Sequence, residues 1–164
     1  MKTKIALGGG CHWCTEAIYQ SLKGVEFVEQ GYVASHGEQD TFSEAVIIHF
    51  NPKIITLSIL LEIHLHTHNS TSDHSMRRKY RSAVYTFSEQ QANAAKAILY
   101  KLQPKFKNKL VTKVYPFSKF KPSREEIQNY YFKNPERPFC KRYINPKLKI
   151  LIDKFSNHLK LEYA

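Results

Sequence analysis

Hydrophobic residues along the chain follow two periods, one typical of strands and one typical of helices. Alternating or continuous apolar runs rich in β-branched residues predict strands at residues 2–7, 25–34, 41–50, 82–87 and 110–115. Apolar residues at helical spacing predict helices at residues 11–22, 56–66, 88–102, 123–131 and 145–161. The chain therefore contains both kinds of element, interleaved along its length.

Turn and capping residues refine this pattern. Ser88 and Ser123 are each followed three residues later by Gln or Glu, the capping-box spacing that opens a helix. The polar stretch 35–40 separates two predicted strands and favours an antiparallel hairpin. Because the elements include both a hairpin and helical crossovers, we expect an α+β fold, a two-layer sandwich with a mixed or antiparallel sheet and helices, of the ferredoxin-like plait type.

The length of 164 residues fits one domain, which we expect to span 1–164. No apolar run approaches the roughly 20 residues of a membrane helix. The N-terminus also becomes glycine-rich too early for the apolar region of a signal peptide. We therefore expect a cytoplasmic protein, monomeric and without a membrane partner.

The net charge of +11 is unevenly distributed. Residues 99–164 hold 16 basic and five acidic side chains, whereas residues 1–98 hold nine of each. Such asymmetry is found in nucleic-acid-binding proteins, which stay an alternative here. We favour a solvated basic surface because the lysines are scattered among prolines and turn residues. We do not expect nucleic acid as a partner.

Cys11 follows three consecutive glycines and begins the first predicted helix. Unpaired amides and the helix dipole favour a thiolate at this position, so we expect a lowered thiol pKa. A reachable thiolate is a nucleophile, and Trp13 beside it offers an apolar wall to a substrate. This segment is the strongest candidate for an active site.

Other roles for the cysteines stay open on spacing alone. Cys11 and Cys14 also have the C-x-x-C spacing of a dithiol redox motif or of half a zinc site. Histidines that could complete a zinc-binding module occur at His64, His66, His68 and His74. Inert, buried thiols are the third possibility.

The segment GGGCHWCTE at residues 8–16 closely resembles the Gly-Cys-Phe-Trp active-site segment of the A-type peptide methionine sulfoxide reductases. The resemblance continues in order with GY at 31–32, SEAV at 43–46 and KYRSA at 79–83, then YFKNP at 131–135 followed by Cys140. It spans about residues 3–143. Each segment alone is weak evidence, but five in the same order are strong.

The resemblance implies thiol-dependent reduction of methionine S-sulfoxide, free or in proteins, and a role in the repair of oxidised proteins. In that chemistry the Cys11 thiolate attacks the sulfoxide sulfur and becomes a sulfenic acid. Cys140 matches the resolving cysteine, and thioredoxin or dithiothreitol would reduce the resulting disulfide. Cys14 is the alternative resolving thiol, which we favour less because a disulfide within one helical turn is often strained.

This family chemistry implies no metal or other cofactor, and it makes 1–164 a single catalytic domain. Within that domain, residues 132–164 form a basic tail that carries the resolving cysteine and a C-terminal helix. Glu44, Tyr32 and Tyr80 match the groups that bind the sulfoxide oxygen, with Glu44 as the proton donor.

Glu44 also stands out without the resemblance. By alternation it shares a face with apolar residues of the strand 41–50, and a carboxyl group on an apolar face is more readily held as an acid. If the strand begins at Ala45 instead, Glu44 lies in water. Tyr32 and Tyr80 taken alone are more typical of core packing.

Two positions depart from the family pattern. His12 stands where the family has phenylalanine, so the substrate-binding cage that it forms with Trp13 is half polar. We expect His12 either to stack as a neutral ring or, when protonated, to favour the Cys11 thiolate. Ser75 stands where the family has an aspartate, and whether Asp73 replaces that aspartate is left open.

Overall fold

A computed structural model describes residues 3–160, except for the side chain of Arg78. The strands are β1 (Thr3–Gly8), β2 (Val25–Ala34), β3 (Ser43–Phe50), β4 (Ala83–Thr86), β5 (Lys113–Pro116) and β6 (Lys119–Pro122). The helices are α1 (His12–Gln20), α2 (Leu57–Thr67), α3 (Glu89–Leu102), α4 (Tyr130–Lys133) and α5 (Asn145–Phe155). A π-helical turn, Cys140–Ile144, leads directly into α5.

The six strands form one mixed sheet in the order β5-β4-β1-β3-β2-β6. The pairs β1–β3, β1–β4, β2–β3 and β2–β6 are antiparallel, whereas β4–β5 is parallel. β1 therefore lies in the middle of the sheet, with β3 and β4 on either side. This arrangement confirms the expected α+β fold, its mixed sheet and the β2–β3 hairpin.

Alternation along the strands gives the sheet two different apolar faces. Helices α1, α2, α3 and α5 pack on one face, against buried side chains that include Ile5, Leu7, Val46, Ile48 and Val84. The other face carries Ala6, Ala45, Ile47, Ala83 and Tyr85, with aromatic residues packed against them. The larger core thus lies between the sheet and the helices.

Of the two predicted helix caps, the one at Ser88 forms and the one at Ser123 does not. Ser88 caps α3 by accepting a hydrogen bond from the Gln91 amide, as predicted, although the Gln91 side chain accepts from Phe87 rather than Ser88. The capping box at Ser123 is wrong. The Ser123 amide donates to the Gln30 carbonyl, so the residue continues the sheet edge. A 3₁₀ turn at Glu125–Ile127 follows, and α4 begins only at Tyr130.

β6 was not predicted, because it is a short strand with lysines and a proline, a composition usual for sheet edges. The last predicted helix ends earlier than expected, at Phe155, and Leu161 lies outside the described residues. Lys2, the predicted start of the first strand, also lies outside them. Within residues 3–160, no helix is long and apolar enough to cross a membrane.

Candidate active site

The glycine turn after β1 places Cys11 at the start of α1. Gly8 ends β1 between β3 and β4, and the ring of His68 packs against Gly9 so closely that a Cβ there would lie 2.5 Å from it. Cys11 is the N-cap residue, with extended backbone, and its carbonyl accepts from the amides of Cys14 and Thr15. The sequence thus correctly predicts a thiol at a helix N-terminus.

The three thiols differ in exposure. Cys11 is half-buried, whereas Cys14 and Cys140 are buried. Cys140 lies at the first position of the π-helical turn and packs in one cluster with Cys14. Cys140 therefore lies in a packed helical turn, close to Cys14.

The Cys11 and Cys14 side chains lie close enough to affect each other's pKa. The neighbouring Cys14 thiol and burial raise the pKa of Cys11, whereas the neighbouring Cys11 thiol lowers the pKa of Cys14. The positive charge of Lys147 also lowers the pKa of Cys14. The helix terminus is therefore not the only influence on the pKa of Cys11, because burial and the neighbouring Cys14 thiol act against it.

The Glu44 carboxyl group lies next to the start of α1. Glu44 is buried at the start of β3, not in water, and its Oε1 accepts from the His12 amide at 3.2 Å. Its Oε2 lies 3.7 Å from Lys79 Nζ. Tyr32, opposite Glu44 on β2, completes this polar wall.

The His12 ring points toward the same carboxyl group. Its Nδ1 is 2.7 Å from the Gly31 carbonyl oxygen, and its Nε2 is 3.4 Å from Glu44 Oε1. The Tyr32 ring contacts it edge-on, with ring centroids 5.1 Å apart. Burial lowers the pKa of His12, although the Gly31 carbonyl and Glu44 act against this effect.

Trp13 forms the apolar wall beside Cys11, but it packs against aromatic residues from the C-terminal third. Its ring stacks on Tyr130, with centroids 4.0 Å apart, and meets Phe139 edge-on. The guanidinium of Arg137 lies over the other side of Tyr130. Position 12 contributes polarity to the site, and the His12 ring also lies near Trp13, with centroids 6.5 Å apart and 30° between the ring planes.

Tyr80 and Glu44 both interact with Lys79. A bond with the Tyr80 hydroxyl raises the pKa of Lys79, and the charge of Glu44 acts in the same direction. Lys79 belongs to a segment that the sequence singled out, but its role was missed. Asp73 is exposed, and its charge acts against the effect of burial on the pKa of Arg77.

Two more residues that sequence patterns missed support the site. Glu16 is buried, and its carboxylate accepts from Gln30 and from the amides of Asn129 and Tyr130. Lys147 donates to the Thr67 carbonyl and acts on Cys14. Nothing in the sequence distinguishes Lys147 from the other lysines, whereas Glu16 at least lies inside the motif at residues 8–16.

The histidines considered for zinc serve other contacts. His64 and His68 stack on each other in the core, with Nε2 of His64 donating to the Gly8 carbonyl. His66 faces Glu62 and Phe106 instead. Within the described residues, no three side chains of the His, Cys, Asp or Glu types are grouped as metal ligands.

Comparison with known proteins identifies the family. The family model described as peptide methionine sulfoxide reductase matches residues 3–159. The chain belongs to this family. It is 35% identical over 167 residues to the peptide methionine sulfoxide reductase MsrA of Acinetobacter baumannii (strain SDF), covering 93% of this chain and 95% of that protein.

Solved structures agree with this family membership. Reduced Mxr1 from Saccharomyces cerevisiae superposes with a TM-score of 0.75 at 26% identity, covering 85% of this chain and 89% of that one. Mxr1 in complex with Trx2 gives 0.63 at 27% identity, with coverages of 79% and 84%. The resemblance and the expected reaction are thus confirmed. This peptide methionine sulfoxide reductase is an oxidoreductase that reduces methionine sulfoxide by thiol chemistry, and neither the zinc-binding nor the nucleic-acid-binding alternative is favoured.

Proposed function

We propose that Cys11 is the nucleophile for methionine S-sulfoxide, either free or within oxidised proteins that the enzyme repairs. The exposure of the three thiols is the main support for this assignment, because Cys11 is half-buried and the other two cysteines are buried. The Glu44 carboxyl group lies beside it, bonded to the amide of the next residue. A nucleophile and an acid therefore converge on one opening.

In the reaction, Cys11 first gives its proton to solvent, which it can reach because it is half-buried. The Cys11 thiolate then attacks the sulfoxide sulfur while Glu44 gives its proton to the oxygen. The sulfur–oxygen bond breaks, the oxygen stays on Cys11 as a sulfenic acid, and the thioether leaves. Methionine sulfoxide is reduced by two electrons and Cys11 is oxidised by two.

The remaining site residues bind the substrate in this proposal. Tyr32 and Tyr80 donate hydrogen bonds to the sulfoxide oxygen from either side of Glu44. Trp13 contacts the methyl group, and its stack on Tyr130 supports that ring in position. His12 lines the polar side of the same pocket, between Tyr32 and Glu44.

The first test is turnover of each epimer of a methionine sulfoxide peptide with dithiothreitol as reductant. We expect the wild-type enzyme to consume the S epimer alone, and Cys11→Ser to abolish turnover. Cys140→Ser is the matched control, because dithiothreitol can reduce the Cys11 sulfenic acid directly. Residual turnover in Cys11→Ser, or consumption of the R epimer, would refute the assignment.

A second thiol must then condense with the Cys11 sulfenic acid and release water. The resemblance assigns this role to Cys140, but the contact between Cys11 and Cys14 favours Cys14 as the first partner. Cys140, in the same buried cluster as Cys14, is then positioned for exchange with the Cys11–Cys14 disulfide. The three cysteines would thus act in sequence.

Trapping the sulfenic acid tests this order. After one equivalent of sulfoxide and no reductant, we expect Cys14→Ser to retain a sulfenic acid that dimedone labels at Cys11. Cys140→Ser should instead form a Cys11–Cys14 disulfide, detected by peptide mapping. The reverse pattern would identify Cys140 as the direct partner.

We propose thioredoxin as the physiological reductant of the disulfide, and no metal or other cofactor. The solved complex of Mxr1 with Trx2 supports this choice by homology. Reduction by thioredoxin requires a compartment in which thiols are kept reduced, which supports the cytoplasm as the site of action.

The proposed catalytic unit is the whole of 1–164, a single domain acting as a monomer. The site supports this, because it joins Cys11 near one end to Cys140 in the tail 132–164 near the other. We also propose that the first four strands and two helices form a ferredoxin-like plait. Their β-α-β-β-α-β sequence and the order β4-β1-β3-β2 support it.

A further inference from the structure

The buried His12 ring has a defined tautomer when it is neutral. Its Nδ1 lies 2.7 Å from the Gly31 carbonyl oxygen, which can only accept a hydrogen bond. Nδ1 therefore carries a proton in every protonation state of the ring. In the neutral ring, Nε2 is left with a lone pair.

The unprotonated Nε2 lies close to the Glu44 carboxyl group. Nε2 lies 3.4 Å from Oε1, and the two side chains are 3% and 9% exposed, so little water separates or screens them. A neutral Nε2 against an ionised carboxylate would place two electron-rich atoms together. One proton between them removes this repulsion, whether it resides on nitrogen or on oxygen.

We infer that His12 and Glu44 share one proton. His12 is then a positioning residue that favours the protonated form of Glu44, the acid of the reaction. The catalytic part of this inference rests on the proposed function. When Glu44 gives its proton to the sulfoxide oxygen, the pair is left with an unprotonated Nε2 close to a carboxylate. That arrangement is unfavourable, so the pair recovers a proton from water before the next turnover.

The other groups around the pair act on it in opposite directions. Lys79 approaches Glu44 from the segment before β4, and its charge favours the carboxylate. The thiols of Cys11 and Cys14 lie on the same helix terminus, and negative charge on either one favours the protonated carboxyl group. The Tyr32 ring contacts the His12 ring edge-on and brings its hydroxyl group to the same side of the sheet.

Nuclear magnetic resonance tests the shared proton without relying on activity. We would record histidine ring ¹⁵N shifts and Glu side-chain carboxyl ¹³C shifts from about pH 5 to about pH 9, a range that brackets imidazole titration. Spectra of His12→Phe and Glu44→Gln assign the two residues. We expect His12 Nε2 and the Glu44 carboxyl group to change with the same apparent pKa in the wild-type protein.

The variants make this expectation specific. Glu44→Gln should remove that step from the His12 titration, and His12→Phe should lower the pH at which the Glu44 carboxyl group ionises. Lys79→Met is the matched control, since it should move the shared step while both nuclei still report it together. A His12 titration that is unchanged in Glu44→Gln would overturn the inference.

The pH dependence of turnover gives the functional consequence. In His12→Phe we expect the alkaline limb of the kcat/KM profile to move to lower pH by about one unit. At pH values above that limb, kcat/KM should fall roughly tenfold, with KM little changed. His12→Gln, which can still donate to Gly31 but does not titrate, should show the same shift. An unchanged alkaline limb in both variants would show that His12 does not affect the protonation of Glu44 during catalysis.

The titration and the turnover measurements together distinguish failure of the inference from failure of the proposed function. A shared titration in a protein that does not reduce methionine sulfoxide would contradict the proposed function and leave the proton sharing intact. Reduction of the sulfoxide without a shared titration would contradict the inference alone.

Discussion

Glu16 illustrates how a single buried side chain organises the site. Its two carboxylate oxygens receive three hydrogen bonds, one from Gln30 Nε2 and two from the backbone amides of Asn129 and Tyr130. Asn129 has a left-handed backbone (φ 55°), which these bonds help to hold. Because Tyr130 stacks on Trp13, Glu16 supports from behind the ring that we propose as one wall of the substrate pocket.

We expect Glu16→Gln to lower the free energy of unfolding by about 1–3 kcal/mol, the usual cost of an unsatisfied buried donor. The amide has one acceptor oxygen, so its NH₂ group must face a backbone N–H that it cannot bind. Urea unfolding measures the change, with the exposed Glu126→Gln as a control expected to change little. Equal stabilities for the two variants would contradict this role.

At the scale of elements, the edge strand β6 depends on close approach to β2. A Cβ at Gly31 would lie 2.3 Å from the Lys121 carbonyl oxygen and 2.7 Å from the Phe120 ring. Glycine lets the two backbones pair, and the Gly31 carbonyl remains available to His12. The glycine-tyrosine segment thus joins the sheet edge to the active site.

Gly31→Ala should therefore displace β6 and reduce stability by about 1–3 kcal/mol, as overpacking usually does. Hydrogen exchange should show faster exchange of the amides in 119–122. Gly10→Ala is the control, since its added methyl group would approach only Lys147 Nζ, at 4.0 Å. Unchanged exchange in β6 would mean that the strand does not depend on this glycine.

At the scale of the whole molecule, buried histidines join α2 to the glycine turn and make stability depend on pH. His64 donates to the Gly8 carbonyl, and His68 packs against Gly9. Burial, helped by the charges of Lys147 and Arg77, lowers the pKa of His64 to about 4. The pKa of His68 is lowered too, first by burial and then by His64.

An unfolded histidine has a pKa of about 6.5, so the unfolded chain binds this proton first as the pH falls. The stabilisation from neutral His64 is complete above about pH 6.5 and is lost as the pH falls toward 4. At about 1.4 kcal/mol per pH unit, we expect roughly 2–3 kcal/mol less stability at about pH 4.5 from this residue.

Urea unfolding across this pH range measures the loss. His64→Gln should reduce the pH dependence by that amount, because glutamine can still donate to Gly8 but does not titrate. The exposed His36→Gln should keep the wild-type slope. A wild-type slope in His64→Gln would show that His64 does not contribute.

The sequence by itself determined what depends on neighbours along the chain. The thiol at a helix start, the Ser88 cap and the β2–β3 hairpin follow from local steric and hydrogen-bonding preferences, which are encoded within a few residues. The family motifs added the order of the candidate site residues. These local and ordered features were sufficient to predict the α+β class and the chemistry.

The tertiary structure decided what depends on distant partners. Ser123 pairs with Gln30 instead of capping a helix, because completing a sheet edge satisfies its backbone. The protonation of Cys11 depends on burial and on Cys14, and that of His12 on Gly31 and Glu44, 19 and 32 residues away. Burial and long-range contacts set these energies, and neither is written in the local sequence pattern.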